Sequence, residues 1–152
     1  MNAEQFLIEQ GVDYEVVAHR PTFSAQEMAD ALHQPGDKIA KTVLLRVDGV
    51  YVVAILRATH YVDLEEVRIA MAARDVHLAT EAEFHKLFPD CEFGAVPPFG
   101  SLYGLHTLVD EALAFDKDLY FEGNRHDEAI HMYYADFARL EAPTIAAFAH
   151  HL

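Results

Sequence analysis

The sequence predicts an α+β fold, a mixed β-sheet with helices around it, in one domain over residues 1–152. Three observations carry that reading. Asp48-Gly49 joins two runs rich in β-branched and apolar residues, Thr42 to Val47 and Val50 to Leu56. A tight hairpin needs positive φ at both turn positions, which Asp-Gly supplies. A helix-start signature, a side-chain oxygen followed three residues on by Glu, occurs at Ser24/Glu27, Asp63/Glu66 and Thr80/Glu83. Helical and strand-like segments then alternate irregularly around the hairpin, which argues against a doubly wound parallel sheet.

In chain order, Ala3 to Gln10 reads as a helix with Phe6 and Leu7 on one face and Gly11 as its stop. Val12 to Ala18 reads as a strand. The three capped helices follow their signatures, with apolar residues at helical spacing: Met28, Ala31 and Leu32; Val67 and Met71; Phe84, Leu87 and Phe88. Both hairpin runs are almost continuously apolar, so the hairpin is expected at the centre of the sheet with both faces covered. Further strands are expected at Val76 to Ala79, Thr107 to Val109, Leu119 to Phe121 and Ile130 to Tyr134, and a last helix from about Thr144. His150-His151 would be its fraying end.

Of 152 residues, 52% are hydrophobic, and 25 acids face 11 Lys and Arg for a net charge of -14. A chain this long buries roughly 70% of its unfolded surface, so it needs no disulfide, and the one cysteine, Cys91, rules out a disulfide framework or a Cys-based zinc site. No apolar run approaches the roughly 18 residues of a membrane span and no leader is visible, so a cytoplasmic protein with no membrane partner is expected. The acid surplus argues against coating DNA or RNA, because such affinity comes from Lys and Arg on phosphates. Only residues 20–57 are net positive, with five bases against four acids. An anion would be met there.

Catalytic signatures are mostly missing. Of the two serines, Ser24 reads as a helix cap, and Ser101 lies in Gly-Ser-Leu-Tyr-Gly, which lacks a nucleophile elbow's spacing. Cys91 reads as a small buried hydrophobe. His126 and His131 are five apart, wrong for one helix face or one strand face, and read as surface and turn histidines; no metal and no cofactor is expected. No phosphate-binding glycine loop is present. Two features remain. Lys41 opens the most apolar strand, either as a strand-edge lysine whose stem covers the core or as a fixed ammonium in an apolar wall. Gly94 to Gly100 holds two prolines and two glycines, either a plain surface turn or a stiff loop presenting backbone groups to a ligand.

At these residues the sequence resembles the YbaK/prolyl-tRNA synthetase-associated editing domain family. His19-Arg20-Pro21-Thr22 with Ser24-Ala25 resembles the entry to that family's second helix, and Ala40-Lys41-Thr42 its lysine-bearing strand. Gly94 to Pro98 fits its G-x-x-x-P loop, Val109-Asp110 the strand after it, and Gly123-Asn124 through His131 its late turn and strand. The order is kept over nearly the whole chain.

The resemblance implies a partly barrel-like sheet and hydrolysis of the ester between an amino acid and the 3' terminal adenosine of tRNA. Alanyl and cysteinyl esters on tRNA for proline lead among the substrates. It implies no metal and no side-chain nucleophile: the substrate's ribose hydroxyl or a water would attack. Lys41 would hold the terminal nucleotide and Gly94 the reacting carbonyl. His19, Thr22, Ser24, Thr42, Ala95, Val96, Pro97, Pro98, Asp110, Gly123 and His131 are the implied binding residues. Prolyl-tRNA synthetase or an elongation factor is the kind of partner that would help a protein of charge -14 meet tRNA, and a monomer is compatible with this. Two rivals stay open: a non-catalytic regulatory or small-ligand-binding protein on the same fold, and an esterase for free aminoacyl nucleotides.

Overall fold

The computed structural model describes residues 2–92 and 94–152. The chain runs α1 (Ala3–Glu9), β1 (Glu15–Ala18), α2 (Ala25–Ala31), β2 (Ala40–Val47), β3 (Val50–Arg57), β4 (His60–Val62), α3 (Leu64–Ala70), β5 (Val76–Leu78) and α4 (Glu81–Leu87). It continues with β6 (His106–Asp110), α5 (Glu111–Ala114), β7 (Asp118–Glu122), β8 (Glu128–Tyr133), α6 (Tyr134–Glu141), β9 (Thr144–Ala146) and β10 (Ala149–His151).

The hairpin forms as expected: Asp48 and Gly49 take φ 48° and 81°, and Val47 pairs with Val50. It lies inside a five-stranded sheet ordered β5-β2-β3-β6-β9, mixed because β6 and β9 run parallel to their neighbours. Its alternation feeds two cores. Leu44, Val53 and Ile55 pack with Phe99, Val109 and Phe121 on one side. Leu45, Val52 and Leu56 pack with Val67, Leu108 and Phe148 on the other.

A second sheet, β1-β8-β7, touches the first through one parallel bridge, Ile39 to Tyr120. Among the described residues the sheets close no barrel. The bridge nevertheless places the site: Lys41 stands two residues beyond Ile39 and Glu122 two beyond Tyr120. In parallel register with a two-residue repeat, both follow the bridge on the same face.

All three helix signatures mark true starts, with Ser24, Asp63 and Thr80 each accepting the N–H three residues on. Only Thr80 and Glu83 bond reciprocally. Glu27 instead takes the Phe23 N–H, and Glu66 takes the His150 ring. Asn2 and Gln5 form a second reciprocal box, which fixes α1.

The C-terminus departs from expectation. The last helix is α6, whose Tyr134, Phe137 and Ala138 carry helical spacing that the strand reading of Ile130 to Tyr134 obscured. Ala142 in the left-handed conformation (φ 42°) and Pro143 end it. From Thr144 the chain is strand: β9 extends the large sheet beside β6, and β10 pairs with β4, so His151 faces His60 rather than fraying. Asp110 explains the path. One carboxylate oxygen caps α5 through the Ala112 N–H, and the other accepts the Phe148 and Ala149 N–H groups at 3.0 Å each.

Candidate active site

A cavity of about 350 Å³ opens where the start of β2, the start of α2, the turn after β3, the 94–96 loop and the end of β7 converge. Ser24, Lys41, Thr42, Gly94, Val96 and Glu122 are among its lining residues. Lys41 and Gly94, singled out separately in the sequence, are thus brought to one cavity.

Lys41 is half-buried. Its Nζ reaches the Ala58 carbonyl at 3.4 Å, a long bond shared with the Gln26 amide, and no carboxylate lies within ion-pairing distance among the described residues. Burial lowers its pKa below the ordinary lysine value. An ammonium held in a partly desolvated wall attracts an anion more strongly than one in water.

The loop is more deeply set than its composition suggests. Gly94 is exposed, but residues 95–100 are buried, Pro97 and Pro98 included, which corrects the expectation of exposed backbone along the whole segment. The cause is Phe99, which has no exposed surface and meets the Phe121 ring edge-on at 5.3 Å. That contact ties the loop to the strand bearing Glu122. The Ala95 N–H is spent on the Glu92 carbonyl and the Ala95 carbonyl on the Asn124 N–H. Backbone presentation therefore falls to Gly94, at φ 84°, and Val96. A Cβ on Gly94 would stand 3.8 Å from the His126 ring, ordinary contact, so backbone conformation rather than crowding selects glycine there.

Glu122 is the residue the sequence reading missed. It is 8% exposed, and its Oε2 lies 3.0 Å from His126 Nδ1 but off the line of a hydrogen bond. Burial, with the Glu92 charge adding to it, pushes its carboxyl up to about 8. The available signal was a carboxylate ending an apolar strand, the same oddity that drew attention to Lys41. His126, read as a surface histidine, is 6% exposed, with its N–H held by Glu92 and its ring against Phe23.

The other expected residues divide. Ser24 lines the cavity while capping α2, and Thr42 lines it beside Lys41. Thr22 is fully buried with its hydroxyl unpartnered; His19 keeps one ring nitrogen on the Arg20 carbonyl and the other buried. Gly123 follows Glu122 under Ile130, where a Cβ would come within 3.0 Å. Asp110 does not reach the cavity, its oxygens being taken by backbone. His131 lies in a separate cavity, bonded to Glu15 and to Asp118 at 2.6 Å. It does not approach His126 as a metal pair would. The one His and carboxylate group among the described residues that could hold an ion is Asp63, Glu66 and His150. Cys91 is buried against Tyr103 and Asn124, and burial raises its thiol pKa, which opposes a nucleophilic role. Ser101 bonds Glu141. No helix among the described residues is long and apolar enough to cross a membrane.

The cavity thus joins a half-buried lysine to a glycine-led loop and a buried carboxyl. The chain belongs to the aminoacyl-tRNA editing domain family, whose model matches residues 19–140. With that membership its chemistry is that of an aminoacyl-tRNA deacylase, an ester hydrolase. The chain is 28% identical over 148 residues to the multifunctional Ser/Thr-tRNA deacylase ProXp-y of Escherichia coli K12, covering 93% of this chain and 87% of that one. It is 34% identical over 64 residues to the proline–tRNA ligase of Staphylococcus aureus strain Newman, 42% of this chain but 11% of the ligase. Among solved structures, the hypothetical protein APE2540 superposes with a TM-score of 0.87 at 18% identity, covering 97% of this chain and 98% of that one. A proposed trans-editing enzyme for prolyl tRNA synthetase superposes at 0.80 with 20% identity, covering 90% and 87%. At these identities the two structures establish the fold.

Proposed function

We propose that the chain acts in trans on a misacylated tRNA, hydrolysing the ester between a small amino acid and the 3' terminal adenosine. The observation that carries this reading is the half-buried Lys41 ammonium, with no carboxylate partner among the described residues, in the cavity that Gly94 also lines. Lys41 holds the phosphate of the terminal nucleotide. That contact sets the ester carbonyl against the backbone of Gly94 and Val96, where oriented dipoles favour the oxyanion that forms as a water, oriented by the neighbouring ribose hydroxyl, attacks and gives up a proton. The carbon–oxygen bond to the ribose then breaks, and the released ribose oxygen takes up a proton. An aminoacyl ester is already activated, so orientation and dipoles suffice without a protein nucleophile.

Alanyl and cysteinyl esters on tRNA for proline are the leading substrates, and likeness to the E. coli relative adds seryl and threonyl esters. A synthetase or elongation factor delivers the tRNA, because a chain of charge -14 offers few phosphate contacts. The test is hydrolysis of a panel of aminoacyl-tRNAs beside the same amino acids esterified to adenosine alone. Release from one misacylated tRNA is the expected result. Release only from the adenosine esters would select the small-molecule esterase, and no release at all would select a binding protein.

A further inference from the structure

We infer that Glu122 is the specificity residue that reads the substrate's α-ammonium group, so that the site takes free aminoacyl esters and discriminates against esters whose α-nitrogen is absent. This rests on the deacylase reading above and assigns the opposite end of the same cavity. Glu122 is more than nine-tenths buried, lines the cavity and leaves Oε2 without a hydrogen-bond donor. Buried carboxylates are ordinarily paired, because an isolated charge out of water is costly. Lys41 does not serve as its partner: the ammonium turns to the Ala58 carbonyl instead. The cavity therefore carries an ammonium and, apart from it, a buried carboxyl whose closest ionisable neighbour among the described residues, His126 Nδ1 at 3.0 Å, sits off the line of a hydrogen bond.

A ligand with a matching separation of charge satisfies both. An aminoacyl nucleotide has it, with phosphate at one end and an α-ammonium at the other. Reach agrees as well. His126 lies beside Gly94 on one side and 3.0 Å from Glu122 on the other, so the carboxylate is one side chain away from the loop that meets the carbonyl. The α-nitrogen is two bonds from that carbonyl carbon. Burial raises the empty site's carboxyl to about 8, and an arriving ammonium favours its ionised form. Charge-assisted hydrogen bonds of this kind are among the stronger polar contacts.

The test uses stable amide analogues, 3'-alanylamino-3'-deoxyadenosine 5'-phosphate and its lactyl counterpart, in which hydroxyl replaces the ammonium. Binding of each is measured by calorimetry to the wild-type chain and to Glu122→Gln. The wild type should bind the alanyl compound about 10-fold or more tighter. Glu122→Gln should bind both within about 3-fold of each other, with lactyl affinity unchanged. Equal wild-type affinities would overturn the proposal whether or not the variant folds, as would a variant in which both affinities fall together or the preference persists. Ammonium-dependent binding in a chain that hydrolyses no aminoacyl-tRNA would uphold Glu122 and remove the deacylase reading.

Discussion

Two cavities of similar size, about 350 and 320 Å³, are each lined by ionisable side chains, Lys41 and Glu122 in one and Asp13, Glu15 and His131 in the other, and they treat charge differently. Around His131 two carboxylates are tied to the ring. Glu15 and Asp118 hold its two nitrogens, Lys38 reaches Asp118 at 3.0 Å, and the ring stacks on Tyr120 at 4.2 Å. The His131 and Lys38 bonds hold the Asp118 carboxyl below its ordinary pKa. Around Lys41, burial lowers the lysine and raises Glu122, so each resists its charged form. Charges that satisfy one another are scaffold. Charges kept apart in a desolvated wall are arranged for something that arrives from outside.

The largest expected way to break that contrast is Lys41→Ala. Loss of the fixed ammonium and misplacement of the ester should lower kcat/KM roughly 100-fold or more, with stability changed by about 1 kcal/mol or less. Lys41→Arg should rescue poorly, because a planar guanidinium is bulkier than the ammonium it replaces. Gly94→Val comes next. At φ 84° a β-branched residue costs about 1–3 kcal/mol of backbone strain, and the displaced loop should cost roughly 10-fold or more in turnover while the fold persists. Melting and steady-state kinetics on each variant check both statements.

The two cavities should also separate by pH. Glu122 binds a proton more tightly folded than unfolded, so the wild type should lose stability as pH rises from about 4.5 to about 8. Glu122→Gln should remove that slope, gaining on the order of 2 kcal/mol relative to wild type at the upper end, read from urea midpoints at pH 5.5 and 8.5. Asp118 has the opposite sign. Its depressed pKa gives stability that is present above 3.8 and lost as pH falls through the folded value. Smaller still is the salt effect. The log-log slope of tRNA affinity against salt should fall between about -1 and -4, since few basic residues displace counterions.

How much of this was legible in the sequence follows from where each signal resides. The hairpin, three helix starts and Lys41 were readable because a turn type, a cap and a charge in an apolar run are local statements. The strand after Pro143 was not, because β9 and β10 are strands by virtue of β6, β4 and the Asp110 carboxylate, all distant in sequence. Asp110 was a site residue by position in a motif and proves to be a clamp on that strand path. Glu122 went unread for a similar reason: its burial comes from the bridge between Ile39 and Tyr120, which no spacing along the chain announces.

On this reading the cavity of Lys41, and not that of His131, carries the chemistry. Single-turnover hydrolysis of one misacylated tRNA by Lys41→Ala and by His131→Ala, each shown by melting to be folded, tests it most directly. The account predicts a rate reduced about 100-fold or more for Lys41→Ala and within about 3-fold of wild type for His131→Ala. A wild-type rate for Lys41→Ala, or the larger loss in His131→Ala, would contradict it.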